Sequence, residues 1–262
     1  MQLRRALVMG LVLGWGTAAY GGWVIEQSNV ATRPKGDPGP AEPATLRVSQ
    51  GRVRLTQPNI VTIQDCVKGR FIMYVPERNA YWSGSLDDYT SELRTQAAQS
   101  GATASGNPMP TKAPEKVPTV NAAGLPNLIV RKTTEQAKVA GYDTTKYVIE
   151  SDGSLFQELW VTTAVNISDD LDPKKYVACQ AKISAGMLGA STGSFNALYR
   201  SPDYLNLLTS GVILKRVTHH AAGTYSEEVR SINKADIADD EFATPSGATK
   251  VSLNDLFAPP QR

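Results

Sequence analysis

The sequence predicts an α+β protein that is mainly β: an N-terminal transmembrane helix followed by an antiparallel sheet with a few helices. Three observations predict this class. A long uncharged stretch lies at the N-terminus. Most of the remaining chain consists of short runs rich in β-branched and aromatic residues, separated by Gly and Pro. Helical spacing of apolar residues is confined to a minority of the chain, so the helices are expected to accompany a sheet.

The uncharged stretch runs from Ala6 to Ile25 and follows Arg4 and Arg5. As a helix, its twenty residues would rise about 30 Å, which matches the hydrocarbon core of a bilayer. Basic residues before a span favour a cytoplasmic N-terminus. We therefore expect residues 1–28 to form a single-pass anchor in a bacterial inner membrane, with the main domain in the periplasm. A cleaved signal peptide is the alternative, because small residues at 17–19 could provide a cleavage site.

Small residues recur at every fourth position of this stretch, at Gly10, Gly14, Ala18 and Gly22. On a helix they would share one face and allow another helix to approach closely. The predicted partners are therefore transmembrane helices of another membrane protein. The competing interpretation is that Gly and Ala are simply frequent in membrane segments and signal peptides.

Two stretches rich in helix and strand breakers divide the rest of the chain. Arg33–Pro43, with four prolines and two glycines, predicts an extended linker over residues 29–44. Residues 101–126 contain five prolines without apolar periodicity, which is typical of a long surface loop. The main domain is expected over residues 45–252, and residues 253–262 form a tail that could dock on the domain or a partner.

Within the domain, each predicted strand is bounded by turn residues, and the Asp152–Gly153 pair gives the clearest hairpin signal. Leu86, Tyr89 and Leu93 are spaced for one face of a helix. The predicted elements are strands Leu46–Leu55, Asn59–Asp65 and Arg70–Val75, a helix Asp87–Ala98, strands Asn127–Lys132, Gln136–Val139, Lys146–Glu150 and Gln157–Thr162, a loosely helical region Pro173–Leu208, and a final hairpin of Gly211–Thr218 and Thr224–Asn233.

Three segments carry a family resemblance: YVPERNAYWSGSLDDY (74–89), AKVAGYDTTKYVIESDGSLFQELWVT (137–162) and DDEFATPSGATKV (239–251). They resemble an uncharacterised family of bacterial envelope domains with the fold of the lipoprotein carriers LolA and LolB. The resemblance implies a curved antiparallel sheet, or half-open barrel, with a few helices on its concave side. It also implies an apolar cavity that in such carriers shelters acyl chains.

Alternating strand residues would line that cavity. The candidates are Phe71, Met73, Tyr147, Ile149, Leu159 and Val161. The alternative interpretation is that these side chains only pack a core.

Cys66 and Cys179 are the two cysteines of the chain. In an oxidising compartment a disulfide between them would close a loop of more than a hundred residues, worth about 4 kcal/mol by chain entropy. Two separate buried thiols are the alternative, since pairing requires Cβ atoms within about 4 Å and the sequence does not fix that distance.

Composition excludes several classes of function. The 27 basic and 25 acidic residues give a net charge of +2, too balanced for a nucleic-acid binder that neutralises phosphates. With two histidines and two cysteines, no spacing resembles a zinc site. We therefore expect no metal, no cofactor and no nucleic-acid partner.

One catalytic pattern is present in the sequence. Residues 189–193 match the Gly-x-Ser-x-Gly motif around Ser191, and Asp203 and then His219 or His220 follow in the order of an α/β-hydrolase triad. That motif requires a buried parallel strand before the serine, whereas the preceding residues are not β-branched and the chain lacks repeated strand–helix units. No catalytic residue is therefore predicted, and the protein is expected not to be an enzyme.

Two functions follow from these expectations. The first is a structural accessory subunit of a larger membrane complex, such as a respiratory or photosynthetic one. The alternative is a carrier-like module of the cell envelope that binds membrane lipid or another lipophile.

Overall fold

The structure is a computed structural model that describes residues 19–34, 36–99, 125–186 and 192–258. Within these ranges twelve strands form one sheet. The strands are β1 (Ala19–Thr32), β2 (Glu42–Ser49), β3 (Arg52–Thr56), β4 (Val61–Asp65), β5 (Arg70–Val75), β6 (Ala80–Ser85), β7 (Leu128–Val139), β8 (Tyr142–Ser151), β9 (Ser154–Thr162), β10 (Val212–His220), β11 (Gly223–Ala238) and β12 (Thr249–Lys250). The helices are α1 (Leu86–Gln99), α2 (Pro173–Gly186), α3 (Thr192–Leu198), α4 (Pro202–Ser210) and α5 (Leu253–Phe257).

The strand order is β12-β6-β5-β4-β3-β2-β1-β11-β10-β9-β8-β7. Neighbouring strands are antiparallel, except that the short β12 runs parallel to β6. Since β7 and β12 stand at opposite ends, the sheet is open. The predicted class, mainly β with an open antiparallel sheet and few helices, is confirmed.

The predicted transmembrane helix is wrong in its second half, because Ala19–Ile25 belongs to β1. This strand pairs with β2 on one side and β11 on the other, in the middle of the sheet. Trp23 and Ile25 are buried on one face, at 9% and 6% exposure, and Val24 packs against the apolar cluster on the other. When both faces of a strand are covered, its successive residues are all apolar, and such a run resembles a membrane segment in sequence.

The helix-packing residues Gly10, Gly14 and Ala18 lie outside the described residues, and Gly22 lies in β1. In the part of the chain that the structure covers, no helix combines the length and the apolar composition needed to cross a bilayer.

The predicted linker is a hairpin connection. Residues 33–41 join β1 to β2, and the two strands pair through Ser28 with Pro43 and Asn29 with Glu42. The amide of Gly39 donates a hydrogen bond to the carbonyl of Ala31 at 2.8 Å, which closes the hairpin. Prolines are tolerated here because they fall in the loop and at the end of a strand. The domain therefore begins before residue 45, and residues 100–124 of the second proline-rich stretch lie outside the described residues.

The helices pack in two groups on one face of the sheet. The first group, α1, α2 and α5, covers Phe71 and Met73 of β5 and Trp82 of β6. The second group, α3 and α4, covers Leu159 and Val161 of β9 together with neighbouring residues of β8. The C-terminal tail contributes to the first group, because Leu253 and Leu256 of α5 are 0% and 1% exposed.

Candidate ligand cavity

A cavity of about 370 Å³ lies between the first turn of α2 and the last turn of α4. Its floor is formed by the central strands, and the loop after β9 borders it. The lining residues are Ile25, Leu46, Val48, Val53, Thr163, Val165, Asn166, Ile167, Ser168, Leu171, Pro173, Tyr176, Leu208, Thr209, Ser210, Gly211, Val212, Ile213 and Arg216. The volume falls in the range of about 300–1,000 Å³ that is typical of small-molecule sites.

The floor lies on the same face of the sheet as the helices. Val48 pairs with Val53, which pairs with Gln64, which pairs with Phe71. Directly opposed residues of antiparallel strands point to the same face. Phe71 contacts the first helix group, so the apolar floor of β1, β2 and β3 faces the space between the two groups.

Local capping fixes the first residues of the two helices, α2 and α4, that border the cavity. The carboxylate of Asp172 accepts a hydrogen bond from the backbone amide of Lys174 at 2.8 Å, and Pro173 follows as the first residue of α2. Ser201 caps α4 in the same way by accepting from the amide of Tyr204 at 3.3 Å. Polar caps followed by proline begin helices at defined residues. They therefore set where Tyr176 and Tyr204 enter the core.

Polar and apolar groups separate within the lining. Val48, Val53, Val165 and Leu171 are buried. The exposed lining residues are polar: Thr163, Asn166, Ser168, Thr209 and Ser210. The arrangement is an apolar interior with a polar border at the solvent.

Arg216 is the charged group of the lining. Its Nη1 donates to Oε2 of Glu227 on the adjacent strand at 3.1 Å. Burial is the largest effect and alone would lower the pKa of this guanidinium, but the electrostatic attraction of Glu227, together with that of Tyr204, Tyr199 and Tyr176, outweighs burial and the pKa is raised. Arg216 is therefore a fixed positive charge whose counter-ion is already in place.

Two tyrosines surround this arginine. Burial raises the pKa of Tyr176 to about 12, and burial also raises the pKa of Tyr204. Both phenols stay neutral at physiological pH and can donate as well as accept hydrogen bonds. The cavity thus joins an apolar chamber to a small polar cluster of Arg216, Glu227 and neutral phenols.

None of the six residues predicted to line a cavity lines this one. Phe71 and Met73 pack under the first helix group. Tyr147, Ile149, Leu159 and Val161 pack under the second. The lining residues that sequence reasoning missed include Ile25, which was placed in the membrane segment, and Arg216. The alternation of residues between the two faces of β1 could have indicated that Ile25 faces the core, whereas no local sequence pattern indicates that Arg216 lines a cavity.

Cys66 and Cys179 form a disulfide, with their Cα atoms 5.6 Å apart. Cys66 lies in the turn between β4 and β5, and Cys179 lies in α2. The bond ties α2, whose first turn borders the cavity, to the sheet.

The residues of the catalytic pattern are dispersed. Ser191 lies outside the described residues. Asp203 is exposed in the first turn of α4. On β10, Nε2 of His219 lies 3.0 Å from Oε2 of Glu158, and Oε1 of the same carboxylate lies 2.6 Å from Nζ of Lys146. His219 is thus part of a charged cluster on the sheet.

No family model and no curated protein matches the chain. Among solved structures it is similar to PNGF-II (14% identity, TM-score 0.39), with 90% of this chain and 32% of that chain covered. It is also similar to MucB (11% identity, TM-score 0.38), with 87% and 59% covered. A third is a putative outer membrane lipoprotein-sorting protein domain from Vibrio parahaemolyticus (9% identity, TM-score 0.31), with 85% and 89% covered. The chain thus spans about a third of PNGF-II and about three fifths of MucB.

Proposed function

We propose that this protein is a non-enzymatic, carrier-like module of the bacterial cell envelope that binds a lipid or another lipophile. The supporting observation is the cavity of about 370 Å³ with buried apolar walls and an exposed polar border. Each methylene group that leaves water for such a site contributes about 0.8 kcal/mol. An apolar chain is therefore the ligand that these walls favour.

An envelope location is supported by the disulfide between Cys66 and Cys179. Such bonds persist in oxidising compartments, including the bacterial periplasm, and are rare in the cytoplasm. A periplasmic module would meet membrane lipid as its natural source of ligand.

The accessory-subunit function stays a prediction. It depends on a membrane helix whose small residues contact other helices, and Gly22, one of those residues, lies in β1. The other three lie outside the described residues. The cavity favours the lipophile-binding function.

The test compares two leucines of α4. Leu208 lines the cavity, whereas Leu205 is similarly half-buried on the same helix and does not line it. Leu208→Trp should fill part of the cavity and weaken binding of the fluorescent lipophile 1-N-phenylnaphthylamine at least tenfold. Leu205→Trp should leave binding near the wild-type value.

Both variants of the full chain are compared with wild type after circular dichroism has shown the same fold. Native mass spectrometry of the wild-type protein should also detect bound lipid that organic extraction removes. Absence of probe binding by wild type, or equal binding by the two variants, would overturn the proposal.

A further inference from the structure

We infer that the cavity holds one hydrocarbon chain, so that its ligand is a single-chain amphiphile, such as a fatty acid or a lysolipid, and not a lipid with two or more chains. The inference rests on the proposed function and names the class of lipophile that the same cavity takes.

The first observation is the size of the cavity, which is about 370 Å³. A dry apolar cavity of about 150 Å³ in another protein binds one benzene molecule, so this volume corresponds to roughly 15 carbon atoms. One acyl chain of about that length fills the cavity, whereas two such chains require roughly twice the volume.

The second observation is that the space on either side of the cavity is filled. Under the first helix group, Phe71 and Met73 are 3% and 9% exposed. Under the second group, Leu159 and Val161 are 0% and 5% exposed. Because protein interiors are packed as densely as organic crystals, a second chain would enter these regions only by displacing a helix.

The third observation is that α2, which borders the cavity with its first turn, is fixed to its surroundings further along. Cys179 of α2 is bonded to Cys66, in the turn between β4 and β5. Oγ of Ser184 of α2 donates a hydrogen bond to Oδ1 of Asn196 of α3 at 2.8 Å, which joins the two helix groups. These links oppose the movement of α2 that a second chain would require.

A cleft of about 160 Å³ adjoins the cavity and shares Ser168, Leu171 and Tyr176 with it. The charged residues that line the cleft are Asp169, Asp170, Asp172 and Lys175. A hydrocarbon chain that covers charged groups removes their hydration, which is unfavourable. The cleft therefore suits the polar end of a ligand and disfavours a second chain.

The first experiment measures how affinity depends on chain length. Alkyl phosphocholines with eight to eighteen carbons displace 1-N-phenylnaphthylamine from the full chain, each probe below its micelle-forming concentration. Affinity should rise about fourfold with each added methylene group until the cavity is full, and should stay constant beyond about fifteen carbons. Affinity that keeps rising fourfold per methylene group through eighteen carbons would overturn the inference.

Two leucine variants assign this limit to the cavity. Leu208→Ala removes three carbon atoms from the wall, so affinity should become constant at a chain about three carbons longer. Leu205→Ala is the matched control, because Leu205 is half-buried on the same helix and does not line the cavity. It should keep the wild-type limit. The same limit in both variants would place its cause outside the cavity and overturn the inference.

The second experiment counts chains by native mass spectrometry. The full chain is incubated with vesicles of equal amounts of dimyristoylphosphatidylcholine and myristoyl-lysophosphatidylcholine, which share one head group and one type of chain. We expect a one-to-one complex with the lysolipid, at least tenfold more abundant than the complex with the diacyl lipid. Leu208→Trp should lose the lysolipid complex and Leu205→Trp should keep it.

The outcomes separate the two proposals. A diacyl complex as abundant as the lysolipid complex overturns the single-chain inference and leaves the lipophile-binding function standing. Absence of binding of every probe contradicts both. The mass of the lipid that organic extraction releases from wild-type protein distinguishes a fatty acid from a lysolipid, and a diacyl lipid in that extract overturns the inference.

Discussion

Arg216 of β10 and Glu227 of β11 are directly opposed across the strand pair, and their side chains form an ion pair at 3.1 Å. The adjacent pair along the same strands, Lys215 and Glu228, lies on the other face at 2.9 Å. Two neighbouring ion pairs of one hairpin therefore experience different surroundings. The first faces the cavity and buried tyrosines, whereas Glu228 also contacts the exposed Arg230.

Glu227→Gln should lower the free energy of unfolding by about 2 kcal/mol, the order of a hydrogen bond to a charged group. The loss arises because Arg216 stays charged while its counter-ion is removed. Urea unfolding of the full chain followed by tryptophan fluorescence measures it. The control, Glu228→Gln, removes the neighbouring carboxylate on the other face and should cost no more than about 1 kcal/mol, because it is shared with Arg230, which is 59% exposed. Equal losses in the two variants would contradict the stronger dependence of Arg216 on its counter-ion.

Glu158 provides a prediction for pH dependence. Burial raises the pKa of this carboxyl, but hydrogen bonds from Lys146 and His219 outweigh burial and lower the pKa below its ordinary value of 4.5. A carboxyl with a lower pKa in the folded state contributes stability that is present above pH 4.5 and is lost as pH falls through the folded-state value. Glu158→Gln should therefore be less stable than wild type at pH 7, and the difference should shrink as pH falls below 4.5.

The measurement is urea unfolding of both proteins between pH 3 and pH 7. Glu135→Gln is the matched control, because Glu135 contacts the same Lys146 at 3.0 Å but is 56% exposed. Its effect at pH 7 should be smaller than that of Glu158→Gln. A constant difference between wild type and Glu158→Gln across the whole pH range would contradict the lowered pKa.

Local patterns predicted much of the sheet. The Asp152–Gly153 turn, with φ angles of 50° and 73°, joins β8 and β9 where the sequence predicts a hairpin. Leu46–Leu55 was predicted as one strand and is two, β2 and β3, because Gln50 and Gly51 both take positive φ and reverse the chain. Both reversals join strands that are close in sequence, and of the two only the Asp152–Gly153 turn was predicted.

The cavity was not predictable in this way. Ile25 pairs with Ile232 of β11, about two hundred residues along the chain, and no local pattern contains that pairing. Because the first part of β1 was assigned to a membrane helix, the contribution of Ile25 to the floor of the cavity was absent from the prediction. Arg216 directly follows Lys215 in β10, and two adjacent basic residues in a strand equally fit solvent-exposed positions. The role of this charge depends on its ion pair with Glu227 and on helices α2 and α4, which border the cavity that Arg216 lines.

The disulfide links α2 to the turn between β4 and β5 across 113 residues of sequence. A double Cys66→Ser and Cys179→Ser variant should lose about 4 kcal/mol of stability, since the unfolded chain regains the entropy of a large loop. Urea unfolding of wild type and variant, each with and without dithiothreitol, measures the loss. Dithiothreitol should destabilise wild type and leave the variant unchanged. Equal stability of oxidised wild type and the variant would contradict this prediction.

Gly22 tests the central position of β1 most directly. A Cβ atom at Gly22 would lie 2.5 Å from the carbonyl oxygen of Val48 and 2.9 Å from Cδ1 of Ile237, whereas a Cβ at Gly21 would meet nothing within 4 Å. Gly22→Ala should therefore cost about 1–3 kcal/mol through overpacking. Gly21→Ala should stay within about 0.5 kcal/mol of wild type.

The two glycines are neighbours, so helix propensity and hydrophobicity change equally in the two variants. A helix in this segment would respond similarly to both substitutions, whereas a strand paired with β2 responds at one position only. Urea unfolding of the full chain distinguishes the cases. A difference of at least 1 kcal/mol supports β1 as a core strand. Equal stabilities would contradict the pairing of β1 with β2 and, with it, the floor of the cavity that Ile25 contributes.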